Sequence, residues 1–90
     1  MDDQIIDRAM ARSLHDDACR SHTLVAWIVM ADPPDHSGKF TARLSTGSHT
    51  PYLLLADTLA AIHAALPPCL ELSPRQPADL PEVVEIWFSR

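Results

Sequence analysis

The chain has 90 residues, enough for one domain and too few for a second hydrophobic core. Hydrophobic residues make up 47% of it and charged residues 21%, a globular balance that excludes a disordered or low-complexity chain. Twelve acids against seven bases give a formal net charge of −5, which argues against the sequence-independent phosphate attraction behind most nucleic-acid binding.

The opening Met1-Asp2-Asp3-Gln4 is acidic where a signal peptide would be basic, and no apolar h-region follows it. The longest apolar run, Leu24 to Ala31, is far too short to span a bilayer. These features predict a cytoplasmic protein with no membrane partner. Cys19 and Cys69 are then expected as reduced thiols rather than a disulfide framework.

Asp2 to about Arg20 reads as a helix, with Ile6, Met10 and Leu14 recurring every four residues and Ile5 and Ala9 widening the stripe. Asp2 and Asp3 suit its start, and Asp17 would return to the apolar stripe, so fraying is expected near there. Leu24 to Met30 is the most apolar and β-branched stretch, and it reads as a strand buried on both faces. Ala31 to Gly38 is a proline-interrupted loop, after which Lys39 to Ser45 alternates as a strand. Pairing Met30 with Phe40, Ile28 with Ala42 and Ala26 with Leu44 matches apolar with apolar and sets Trp27 opposite Arg43.

Tyr52 to Leu55 reads either as a short strand or as the entry to the next helix. From Ala56 to Leu66 the pattern is helical and apolar nearly all round, which predicts burial on more than one side. Pro67-Pro68 ends it, and Cys69 to Pro81 is an irregular connection with Pro74, Pro77 and Pro81. Glu82 to Phe88 is the last strand. The expectation is one α+β domain over 1–90, an N-terminal helix over 1–20 and a core over 24–88. It would hold a small, mainly antiparallel sheet of 3–4 strands with two helices, in the order α-β-β-(β)-α-β.

From Trp27 on, the chain resembles a group of short bacterial proteins of unknown function. The likeness is carried by Trp27-Ile28-Val29, Asp32-Pro33-Pro34-Asp35, Gly38-Lys39-Phe40-Thr41-Ala42-Arg43, Ala56-Asp57-Thr58-Leu59, Leu66-Pro67 and Val84-Glu85-Ile86-Trp87. It implies a compact cytoplasmic domain and no activity. A looser likeness of architecture is to antitoxins of the HicB type, in which a small sheet and a helix bind a partner toxin.

Three constellations could carry chemistry. His15 and Cys19 share a helical face, with His22 in the following turn, and imidazole and thiolate are good zinc ligands. Arg8 and Arg12 lie on that face too, opposite the apolar stripe, which predicts a solvated surface instead of a metal centre. Asp35, His36, Ser37, Gly38 and Lys39, with His49 and Asp57 further on, hold the residue types of a hydrolase. No nucleophile elbow surrounds Ser37 or Ser48, and a lone Gly-Lys is not a phosphate loop. The third set is a sheet face with Trp27, Arg43, Trp87 and Glu85, residue types that dominate protein interfaces. Either the first helix covers that face and the tryptophans are core, or a partner does. His63 is assigned no role.

The expected function is therefore a small interaction or regulatory module without catalytic activity or cofactor, contacting a protein partner or a second copy of itself as a homodimer. The alternative is a metal-dependent or hydrolytic enzyme using His15, Cys19 and His22, or His49. A nucleic-acid binder or acidic nucleic-acid mimic is the third reading.

Overall fold

The computed structural model describes residues 3–73 and 82–89. The elements run β1 (Gln4–Ile6), α1 (Arg8–Ser21), β2 (Ala26–Ala31), β3 (Phe40–Ser45), β4 (His49–Ala56), α2 (Leu59–Ala65), β5 (Leu70–Ser73) and β6 (Val83–Ser89), with a 3-10 turn at Pro34–His36. The strands form one six-stranded sheet in the order β1-β4-β3-β2-β6-β5. β1 runs parallel to β4, and the other neighbouring strands are antiparallel. The class is α+β with two helices, but the sheet exceeds the three or four strands expected. No helix among the described residues is long and apolar enough to cross a membrane.

The two unforeseen strands hide for different reasons. Gln4–Ile6 is too short to alternate visibly, and its isoleucines merge with the helical stripe that follows. Leu70–Ser73 sits among prolines, which argue against a central strand and are tolerated beside an edge one. Tyr52 to Leu55 belongs to the longer β4. Of the other expected features, Asp2 and the prolines at 74, 77 and 81 lie outside the described residues.

Helix α1 begins at Arg8, because the Asp7 carboxylate caps it by accepting from the Met10 backbone N–H at 2.8 Å. It runs through Asp17 to Ser21 without the expected fraying. Its buried face is Ala11, His15 and Ala18, whereas Met10 is 49% exposed. The buried stripe is thus rotated by about one residue from the Ile6-Met10-Leu14 row. Ile6 anchors the core from β1 instead, and the alanine methyls allow the helix to lie close on the sheet.

Thr58 caps α2 by accepting from the Ala61 N–H, and Pro67 lies just beyond its end. Only one side of this helix is deeply buried, at Ile62, while Ala60, Ala61 and Ala64 are exposed. The expectation of burial on several sides fails, because alanine is too small to report which way a helix faces.

Both helices cover the same face of the sheet, and one core joins them to it. Ala11, Ala18 and Ile62 pack with Val25, Trp27, Val29, Ala42, Leu44 and Leu54. Trp27 and Val29 are completely buried. Removing an aromatic side chain of this kind from water contributes about 3 kcal/mol on area grounds.

The β2–β3 register differs by one residue from the expected one. Ala31 pairs with Phe40, Val29 with Ala42, Ile28 with Arg43 and Trp27 with Leu44. The turn decides this. Asp32 sits at φ 51 and Gly38 at φ 77, and the Asp32 carboxylate accepts from Gly38 N–H at 2.7 Å and from the Ser37 hydroxyl at 3.1 Å. Asp32 N–H then reaches Lys39 C=O at 2.8 Å, which fixes the next pair as Ala31 and Phe40. A one-residue slip moves every side chain to the opposite face. Trp27 and Val29 therefore join Phe40, Ala42 and Leu44 under the helices, while Arg43 faces away from them with Thr41, Ile28 and Met30.

Candidate functional site

The face of the sheet opposite the helices carries no other helix or strand among the described residues. The pairing of neighbouring strands places Ile5, Leu53, Leu55, Thr41, Arg43, Ile28, Met30, Ile86 and Phe88 on this side, where Leu53 and Thr41 are buried and the rest are exposed in part or more. The loop 32–38 rises over one end of this face, with Pro33 buried beneath it. Between that loop, β3 and the start of β4 lies a cleft of about 360 Å³, floored by Met30, Thr41 and Arg43 and walled by Asp3, Pro33, Pro34, His36 and Pro51.

A charge network holds the cleft in shape. Asp3 accepts from Arg43 Nη2 through Oδ1 at 2.9 Å and contacts His36 Nε2 through Oδ2 at 3.0 Å. The three side chains are only 19–21% exposed. The His36 hydrogen bond, joined by the Arg43 guanidinium, holds the Asp3 carboxyl below the usual carboxylate range, against the opposing effect of its partial burial. Arg43 Nη1 also donates to the Thr50 carbonyl at 2.9 Å, and the Thr50 hydroxyl donates to the Leu44 carbonyl at 2.6 Å. That reach depends on an irregularity in β4, where Arg43 pairs with Leu53 but Ser45 with His49. Pro51 lies inside the irregular stretch, and a proline cannot donate to an interior ladder.

The four residues expected to contact a partner are divided by the fold. Trp27 is fully buried on the helix side, so it is core and unavailable to a partner. Arg43 lies on the opposite face, in the cleft network. Trp87 and Glu85 do come together: Glu85 Oε1 accepts from Trp87 Nε1 at 3.0 Å and contacts His63 Nε2 at 2.6 Å. The His63 ring meets Trp87 edge-on, with centroids 5.7 Å apart. A second hollow of about 270 Å³ lies beside them, lined by His63, Leu66, Pro67, Cys69, Leu70 and Trp87.

His15 and Cys19 also meet, with Cys19 Sγ 3.5 Å from His15 Nε2. Cys19, Arg8 and Arg12 are exposed as a solvated face requires, but His15 is not. His15 is buried and its Nδ1 accepts from Trp27 Nε1 at 3.1 Å. An imidazole that accepts at Nδ1 carries its proton on Nε2, the atom facing the sulfur. Burial pushes the His15 pKa down, opposed in part by the Asp16 carboxylate. The ring is thus a neutral core group with both nitrogens engaged. His22 is exposed and takes no part. Among the described residues no group of three or more His, Cys, Asp or Glu side chains is placed to hold a metal ion.

The hydrolase set is likewise dispersed. Ser37 donates to Asp32, His36 is turned to Asp3, and Lys39 pairs with Asp57 at the surface. Ser37 is thus bonded to a carboxylate and not to a histidine, so the serine–histidine pair of a nucleophilic hydrolase is not assembled here. The side chain of His49 lies outside what is described.

Sequence reasoning missed Asp3, Thr41 and His36 as one site. They are far apart in the chain, and only the β1–β4 pairing and the folded-back loop unite them. No family model matches the chain, and neither does any curated protein or solved structure.

Proposed function

We propose that the protein is a small interaction module without catalytic activity, that it works through the helix-free face of its sheet, and that its partner is a second copy of itself. The observation that carries this reading is the composition of that face: aliphatic and aromatic side chains around a charge pair that is already compensated. Ile28, Met30, Leu55, Ile86 and Phe88 are half-buried, and Ile5 is 58% exposed. Arg43 is matched by Asp3, so covering the face strands no unpaired charge, and Glu71 lies on the edge strand where it can stay hydrated.

Area limits the strength of such a contact. Strands of these lengths, spaced by about 4.8 Å and rising about 3.3 Å per residue, make a face of roughly 550 Å². The 32–38 loop stands over one end of it and Leu53 and Thr41 are already covered, so two copies would bury less than twice that area, which fits a weak, concentration-dependent dimer. Two sheets meeting through apolar faces is a standard packing mode.

Sedimentation velocity over a concentration series tests it, on the native chain and on Ile5→Lys and Ile86→Lys. Concentration-dependent dimers in the native protein, lost in both variants with unchanged circular dichroism, are expected. A native chain that stays monomeric throughout, or association that survives both substitutions, overturns the proposal.

A further inference from the structure

We propose that the cleft between the 32–38 loop, β3 and β4 binds a small neutral molecule with an apolar body and one carbonyl or amide group. The strongest sign is Thr41. Its side chain lines the cleft and is 4% exposed, yet its hydroxyl makes no hydrogen bond among the described residues. Every described side-chain polar atom that is shut off from solvent does have a partner, so the Thr41 hydroxyl opens onto the cleft. Because it opens onto the cleft, the hydroxyl is within reach of water and costs little as it stands, whereas valine has the same shape and offers no hydrogen bond to an incoming molecule. A hydroxyl kept at such a position is ready to bond something that enters.

The neighbouring groups point the same way. Arg43 uses one N–H on Nη1 for Thr50 and one on Nη2 for Asp3, which leaves the rest of its five donors available. His36 is held through Nε2, and its Nδ1 has no partner among the described residues. The site thus offers donors from Thr41 and Arg43 beside a ring nitrogen that can accept, the complement of an amide or carbonyl.

Charge disfavours an anion, which would compete with Asp3 for Arg43 and would meet Asp35, which also lines the cleft. A cation's N–H groups, in turn, have nothing to accept the hydrogen bonds that Thr41 and Arg43 can donate, which a neutral carbonyl does. Met30, Pro33, Pro34 and Pro51 supply apolar walls, and the prolines are rigid before a ligand arrives. A volume of about 360 Å³ falls within the usual range of small-molecule sites.

The test is an NMR titration with three molecules of nearly one shape: benzamide, benzoate and benzamidinium. It is run in the Ile86→Lys background, so its outcome is separate from that of self-association. Benzamide should give saturable shifts at the Thr41 amide and the Met30 methyl, with tighter binding than its charged analogues. Thr41→Val should weaken benzamide about three- to tenfold, as the loss of one neutral hydrogen bond would, with little change in melting temperature. Thr41→Ser, which keeps a hydroxyl, should retain binding. Absence of localised shifts with all three probes, preference for either charged one, or unchanged benzamide affinity in Thr41→Val overturns the proposal.

Discussion

His15 is the residue whose chemistry the fold alters most. Its folded pKa lies below that of the unfolded chain, so as pH falls the unfolded chain takes up the proton first. Stability should be intact above about pH 6.5, the unperturbed histidine value, and decline as pH drops toward the lowered folded value. Chemical denaturation at several pH values checks this, and His15→Gln, which can still accept from Trp27, should flatten that part of the profile. Asp3 acts at lower pH. Its contribution is complete above the ordinary carboxylate pKa of 3.8 and is lost as pH falls through the lower folded value. In Asp3→Asn the acid limb of the same profile should lose that component. Trp27 is a packing residue, and Trp27→Ala should cost about 3–5 kcal/mol by urea unfolding, the range for a buried aromatic.

At the scale of elements, the orientation of α1 is the most testable feature. Ala11 has no exposed surface, so Ala11→Leu would force a larger side chain between helix and sheet and should cost about 1–3 kcal/mol. Met10 is 49% exposed, and Met10→Lys should change stability by no more than about 0.5 kcal/mol. If the Ile6-Met10-Leu14 row were the buried one, the order of these effects would reverse, and thermal melts of the two variants decide it. The Asp32 turn is the second such feature. Asp32 holds Gly38 and Ser37 and adopts positive φ, which asparagine and glycine tolerate best among substitutes. Its conformation sets the β2–β3 register, and through it the face on which Trp27 and Arg43 lie.

At the scale of the molecule, both helices among the described residues cover the same face of the sheet. If the open face is the contact between copies, the net charge of −5 on each makes them repel at long range. Self-association should therefore strengthen as salt screens that repulsion, and light scattering at rising ionic strength would show the mean mass increase. A contact dominated by opposite charges would weaken instead.

Much of the architecture follows from local pattern. The apolar run from Leu24 to Met30 reads as a central strand, and Ala26–Ala31 does lie between β3 and β6. Leu24 is 52% exposed, however, and Ile28 and Met30 are only half-buried, so the expected burial on both faces is complete on the helix side alone. The alternation through Phe40, Ala42 and Leu44, and the prolines that end α2, are equally local, and the α+β class is legible from them. The site is not. Trp27 and Arg43 were separated by a one-residue choice of register, which a side-chain carboxylate in the Asp32 turn decides and hydrophobic matching does not. Asp3, His36, Thr41 and Arg43 form a cleft only because a three-residue strand pairs in parallel with a distant one and a loop folds back over the sheet. The sequence by itself determined the central strands, the helix stops and the class, since each depends on neighbours in the chain. Tertiary structure alone decided which face each side chain took and which distant groups met, since pairing between strands is a long-range competition that short-range periodicity does not encode.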